Sequence, residues 1–318
     1  MATVTGVGTS WNLPNYAGEL FTADASQTPL LSMTGGLTGG RQSLSSEFPT
    51  AVLFDYPEAS QPSISEAESV TAPAASMIVR EQETNVVQIH QEVINLTYMK
   101  MSNSGSMSGL NSTLANSVED EKAFQIQHKL VKIARDVEHS FINGVFSKAT
   151  SASKPNKTRG LMELTKNGTT IDAGGASLSK SMLDSLYRQM AENGAYFDNM
   201  VMFLPAVQKQ LVTDIYANQF NATMNSRETI GGVSISQIET DFFRMGVVWD
   251  RFMPKDAVLI ADVAHIAPVF QAVPEKGVIF EEELAKTGAS DMIQIYAQIG
   301  LAHGPAFLHG SITNLALA

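Results

Sequence analysis

The sequence predicts an α+β protein, and three observations carry that reading. One amphipathic stripe of unusual length runs through the middle of the chain. The segments after it alternate between helical and strand periodicity, and a long proline-broken stretch before it has no regular period of its own. The 318 residues are 44% hydrophobic and 17% charged, a globular composition able to bury real cores. That length suggests about two domains.

The stripe consists of Ile126, Leu130, Ile133, Val137, Phe141 and Val145, spaced by three or four residues, which puts all six on one face of a 3.6-residue helix. Ser117 is the expected N-cap. Glu119, Asp120 and Glu121 fall in the first turn, where the helix dipole favours anions. A helix over 117–146 would be roughly 45 Å long at about 1.5 Å per residue. The globular mean is only about 11–12 residues.

Residues 1–40 are small, polar and glycine-rich, and only YAGELFTADASQTPLLSM (16–33) has the pattern of a helix. The rest reads as a frayed terminus or an arm that orders on a partner. Residues 41–85 contain Pro49, Pro57, Pro62 and Pro73, which break helices and central strands. A loop that long inside a compact monomer is improbable, so it is expected to pack on something else. Residues 86–98 are strand-like. Val87 and Ile89 share one phase and Ile94, Leu96 and Tyr98 the other, which predicts a bulge or bend.

Residues 147–160 form a polar, basic linker and a candidate domain boundary. Beyond it, LSKSMLDSLYRQMAENG predicts a helix capped by Ser179 and stopped at Gly194. MVMFLP predicts a short buried strand, with Pro205 opening a helix over 205–216. GVSISQIET, GVVWDRFMP and AVLIADV predict further strands. Ile293, Ile295, Ala297, Ile299 and Leu301 alternate along a long strand, and HGP is expected to turn it into a terminal hairpin.

The chemistry of the chain is sparse. Its net charge of −11 and pI near 5.0 make it a poor candidate for gripping nucleic acid or an anionic membrane surface. It has no cysteine, which excludes disulfides, cysteine zinc sites and thiol chemistry. No run reaches the roughly 18 apolar residues of a spanning helix. The start lacks a basic and an apolar signal region, so folding in a cytoplasm is expected.

In KIARDVEHSFINGVF (132–146), Asp136 and His139 lie at i and i+3, like half of a carboxylate-bridged di-metal motif. No second Glu-x-x-His exists. Asp136, Glu138 and His139 are therefore expected on a solvated helix flank, with Lys132 and Asp136 as an i,i+4 pair worth about 0.2–0.5 kcal/mol. The glycine clusters lack the Lys-Ser/Thr of a phosphate loop. Glu281, Glu282 and Glu283 read as a solvated face, and Glu66 with Glu68 sits in a proline-broken loop. No catalytic, metal or cofactor-binding residue is expected.

Charge is segregated. Residues 42–99 hold eight acidic residues and one basic, Arg80, whereas residues 122–166 hold nine basic and three acidic. That pattern fits contact between identical subunits, with Glu58, Glu66, Glu68 and Arg80 on the loop facing Lys129, Lys132 and Arg135 on the helix. Complementarity of this kind sets register more than affinity, and repeated head to tail it closes rings or shells.

The order of these segments resembles the major capsid protein of tailed bacteriophages, the Hong Kong 97-type fold. REQETNVVQIHQEVINLTYMKMSNSG is similar to that family's return strand of the extended loop. EDEKAFQIQHKLVKIARDVEHSFINGVF is similar to its spine helix, and TRGLMELTKNG to the start of its axial domain. The resemblance covers nearly the whole chain. It implies an N-terminal arm (1–40), an extended β-hairpin loop (41–100), and a peripheral domain (101–152 and 271–318) with a spine helix at 117–146. Residues 153–270 become an axial α/β domain.

The implied function is a structural, non-enzymatic shell protein that self-assembles through pentamers and hexamers around a phage genome. Assembly would take place in the bacterial host cytoplasm, without a membrane and with only weak non-specific contact to packaged DNA. Scaffolding, portal and decoration proteins are the implied further partners. Residues 42–99 contain no lysine, so the isopeptide cross-link of some members is not expected, and neither is an internal N-terminal scaffold. The alternatives are an encapsulin-like compartment, a sheath or surface-layer protein, and a soluble metal enzyme using Asp136 and His139.

Overall fold

The structure, a computed structural model, describes residues 27–99, 121–220, 227–230, 233–286 and 288–317. Ser117, Glu119 and Asp120, expected at the start of the long helix, lie outside the described residues, as do residues 1–26 of the arm.

Helix α1 (Pro29–Met33) and strand β1 (Arg41–Ser43) come first, followed by the hairpin strands β2 (Glu47–Phe54) and β3 (Arg80–Val86). Between them, the short helix α2 (Glu66–Ser69) lies in the far part of the loop. Strand β4 (Gln88–Thr97) precedes the long helix α3 (Glu121–Asn143) and α4 (Leu161–Leu164). Then come β5 (Thr169–Asp172), α5 (Lys180–Glu192), β6 (Met200–Leu204), α6 (Ala206–Phe220), β7 (Arg227–Ile230), β8 (Val233–Glu239) and β9 (Arg244–Trp249). The chain closes with β10 (Val258–Asp262), β11 (Ala267–Gln271), β12 (Ile279–Glu283), β13 (Ser290–Ala302) and β14 (Gly310–Thr313).

Two sheets organise these elements. A five-stranded sheet runs β1-β11-β13-β12, with β4 on the other edge of β13. Helix α3 lies across it. Ile133, Val137 and Phe141 of the stripe share a core with Ile94 and Leu96 of β4 and Ile293, Ile295, Ala297 and Ile299 of β13. A seven-stranded sheet runs β5-β14-β10-β6-β9-β8-β7. Its strands β6 and β10 are buried on both faces, which is why they read as unbroken apolar runs. Met200, Met202, Val258 and Ile260 meet Leu183, Leu186 and Met190 of α5. Val201, Phe203, Leu259 and Ala261 point the other way, into the core beneath the end of α3.

The expected features hold at α5, where Ser179 caps the first turn and Gly194 leaves in the left-handed region at φ +89. A phase change in 86–98 is present, but it falls at Val87, between β3 and β4, and not after Ile89 as the shared phase of Val87 and Ile89 predicted. Val87 is buried, and after it His90, Ile94 and Leu96 take the inward phase while Ile89 faces out. Helix α6 begins one residue after Pro205 and runs to Phe220, longer than expected.

Two expectations fail for identifiable reasons. The long helix stops at Asn143, not 146, because its end crosses the chain at 158–160. A Cβ on Gly144 would sit 2.6 Å from the Thr158 carbonyl, and one on Gly160 would sit 2.5 Å from the Gly144 nitrogen. Gly160 donates its N–H to Gly144 O at 2.9 Å. The terminal hairpin also fails to form: β14 leaves β13 and pairs with β10 and β5 in the other sheet. Gly304 at φ +66 redirects the chain, and buried His309 ties the crossover down. Its Nδ1 accepts the Asp262 N–H at 3.2 Å, and its Nε2–H donates to His303 O at 2.6 Å. Both Pro268 in β11 and Pro49 in β2 sit inside strands, and Pro49 lies at a register irregularity of the hairpin.

Burial holds both His303 and His309 down at about 4, against an ordinary 6.5. Below about pH 6.5 the unfolded chain takes up protons that the folded one refuses, so stability falls as pH drops from about 6.5 to about 4. The loss is on the order of 3 kcal/mol per histidine. Urea unfolding from pH 7 to 4 should show that decline, and His309→Gln should lose its own share of the slope.

Candidate functional site

The root of the extended hairpin is built by a small set of polar contacts. Asn85, at the end of β3, is 0% exposed. Its Nδ2 donates to Leu301 O at 2.8 Å and Arg159 O at 3.2 Å. Its Oδ1 accepts the N–H groups of Arg159 at 2.8 Å and Val86 at 2.9 Å. The full capacity of one amide is thus used to join hairpin, linker and long strand. Thr158 Oγ1 accepts the Leu301 N–H at 3.1 Å beside it.

Arg159 pairs with Glu83 at 2.9 Å and lies 4.7 Å from the centre of the Phe146 ring. Burial pushes the Glu83 carboxyl up, and Arg159 opposes that rise. Lys148 pairs with Glu47 at 2.5 Å. On the outer face of β13, Phe48 packs onto Gly300. A Cβ there would lie 2.8 Å from the ring and 2.8 Å from the Val86 carbonyl, so only glycine admits this approach.

Beyond the root, residues 55–79 pair with no strand and are exposed throughout. Phe54, Tyr56, Ile64, Val70, Met77 and Val79 all present apolar surface to solvent. The local order present is small: the Phe54 and Tyr56 rings meet edge to face at 5.3 Å, and Ser65 with Glu68 forms a capping box on α2. Little of this apolar area is covered by internal packing.

The expected interface residues are distributed unevenly. Glu58, Glu66 and Arg80 are exposed and form no ion pair among the described residues. Glu68 is engaged in its cap. Lys129 and Lys132 both reach Glu92 on β4, Lys129 at 2.7 Å, so Lys132 does not make the expected pair with Asp136. Burial pushes Glu92 up, but the two ammonium groups outweigh it and hold the carboxyl below its ordinary value. Arg135 is half-buried with its Nε unpartnered. Part of the charge segregation is therefore consumed within one chain, by Glu47, Glu83 and Glu92.

The helix flank is also not uniformly solvated. Asp136 and His139 are exposed beside a groove shared with His90, but Glu138 is 0% exposed. Its carboxylate accepts the N–H groups of Leu30 at 2.8 Å and Leu31 at 2.7 Å, so the arm docks where a solvent face was expected. Among the described residues one trio places three possible metal-ligand atoms within 4.8 Å of one another: Asp198, Asp262 and His265. Asp262 there is already occupied by the N–H groups of Asp198, Asn199 and Ala264. Among the described residues no helix is long and apolar enough to cross a membrane.

An extended hairpin, a spine helix over one sheet and a second sheet behind its end form an architecture with known relatives. A family model described as SU10 major capsid protein matches residues 3–316. The chain belongs to the SU10 major capsid protein family. Among solved structures it is similar to the Cyanophage A-1(L) capsid asymmetric unit, at 8% identity and a TM-score of 0.65 over 96% of this chain and 98% of that one. It is similar to the capsid of the native GTA particle at 10% identity and TM-score 0.60, covering 96% and 97%. The holo-SrpI encapsulin of Synechococcus elongatus PCC 7942 follows at 10% and 0.58, covering 95% and 94%. Identities this low establish the shared fold alone. No curated protein matches the chain.

The SU10-family chain thus has the Hong Kong 97-type capsid fold and is a structural major capsid protein, its copies associating in the icosahedral capsid of a phage virion. The family match favours this over an encapsulin-like compartment. Asn85→Ala should leave Leu301 O and the Arg159 N–H unpaired and destabilise the SU10-family subunit by roughly 1–3 kcal/mol in urea unfolding. Lys132→Ala, which removes a half-exposed ion pair, should cost no more than about 1 kcal/mol in the same assay.

Proposed function

We propose that subunits assemble as pentamers and hexamers, each laying its extended hairpin (41–100) over a neighbouring subunit. The carrying observation is the unpaired, exposed run 55–79, which with Phe54 presents Tyr56, Ile64, Val70, Met77 and Val79 to solvent. A second copy is the partner that a shell supplies at every hairpin. In this reading the five-stranded sheet with α3 is the peripheral domain and the seven-stranded sheet with α5 and α6 is the axial domain. The strand pairings support counting 267–271 with the former and 310–313 with the latter.

Glu58, Glu66 and Arg80 then meet a neighbour's surface and set register, with Arg135 a better cationic counterpart than Lys129 or Lys132, which Glu92 already holds. Assembly takes place in the bacterial host cytoplasm, with scaffolding, portal and decoration proteins as further partners. An acidic chain touches packaged DNA weakly and non-specifically, which suits a genome that must leave.

Replacing residues 57–77 by a short Gly-Ser turn tests this. The variant should keep the subunit's unfolding transition and lose closed shells in negative-stain electron microscopy of protein expressed with its scaffold. Intact shells from that variant would overturn the hairpin's role. Mature particles should also run as a single band near 34.2 kDa on a denaturing gel, because 42–99 offers no lysine for a cross-link.

A further inference from the structure

The attachment of the arm rests on two buried acids. In the first turn of α1, Pro29 has no N–H, and the N-cap Thr28 makes no side-chain cap bond. The N–H groups of Leu30 and Leu31 would be orphaned but for Glu138, 107 and 108 residues away, whose two oxygens take one each. Ser32 N–H closes on Thr28 O at 2.9 Å. Beside Glu138 lies Asp250, 1% exposed, at the end of β9. Its Oδ1 accepts the Phe252 N–H at 2.8 Å, while its Oδ2 has no donor among the described residues.

Two carboxyls in contact, both out of water, do not both ionise near neutrality. One proton shared between Glu138 and Asp250 Oδ2 gives that orphan oxygen a partner while the Glu138 oxygens still take the two amides, and the pair titrates as a unit. Among the described residues no cation neutralises it. Helix α1 carries no titratable residue. Arg251 is held 4.8 Å from the centre of the Trp249 ring, and Glu163 of α4 takes the Phe146 N–H. Glu239 of β8 pairs with Arg244, and on α3 itself Asp136 and His139 face solvent while Arg135 is half-buried.

We propose that Glu138 and Asp250 form a proton-sharing latch that holds the N-terminal arm on the spine helix and weakens when the pair loses its proton. Burial and the neighbouring carboxyl push Glu138 well above its ordinary 4.5, and burial raises Asp250 as well. The docked pair therefore holds a proton that the undocked one gives up. Docking is strongest below about pH 4.5 and is lost progressively as pH rises toward the raised value, by about tenfold per pH unit.

The test is amide hydrogen exchange at Leu30 and Leu31 in full-length subunits from pH 5 to 8, corrected for intrinsic exchange. Wild type should lose at least tenfold in protection, with protection elsewhere in α3 unchanged. Asp250→Asn keeps a donor to Glu138 and removes the neighbouring acid but not the burial, so its protection should fall less steeply with pH than wild type. Should that variant not fold, infrared spectroscopy of the wild type decides: a protonated carboxyl band must be present above pH 4.5 while Leu30 and Leu31 are protected and vanish as they lose protection. Flat wild-type protection, an unchanged slope in Asp250→Asn, or a carboxyl band that does not track the protection of Leu30 and Leu31 each overturns the latch.

Discussion

Most of this structure hangs on one crossing of backbone, where the end of the spine helix meets residues 158–160. Gly144 and Gly160 approach too closely for any side chain, and at that point Thr158 and Asn85 take up the Leu301 peptide from both sides. The helix, the linker, the hairpin root and the longest strand are all fixed by this one knot. If the helix ran on to 146 the linker could not cross, Arg159 could not reach Glu83, and the hairpin would have no fixed departure angle.

Rigidity and exposure are distributed to match a shell subunit. The root of the hairpin has a saturated amide, a partly buried ion pair and a ring on a glycine, while the segment beyond it has almost no internal packing. A subunit can thus present its apolar arm in a defined direction without burying it against itself. The same economy governs charge: Glu47, Glu83 and Glu92 are spent inside the chain to fasten root and helix. The acids farther out, such as Glu58 and Glu66, are exposed and form no ion pair among the described residues.

The buried polar groups divide between two opposite pH responses. His303 and His309 favour the folded state at neutral pH and oppose it in acid. The Glu138 and Asp250 pair does the reverse, because burial disfavours charge on whichever group is buried. The histidines brace the crossover between the two sheets, and the carboxyls hold the arm, so the two responses act on different parts of the subunit.

Local periodicity was enough to reveal the spine helix, the capped helix at 180–192 and the buried strand at 200–204. Each is a pattern carried by consecutive residues. Proline composition likewise set 41–85 apart, although its ends, β1 and the β2–β3 root, pack within the chain itself. Tertiary structure alone decided where the helix ends, which sheet takes the last strand, and that Glu138 is buried. Gly144 looks harmless until Gly160 arrives against it. The turn at Gly304 reads as a hairpin until His309 binds Asp262. Glu138 lies on a helical face that looks solvated until the amides of Leu30 and Leu31, more than a hundred residues earlier, close over it. Those choices depend on groups distant in sequence, and no window of neighbouring residues contains them.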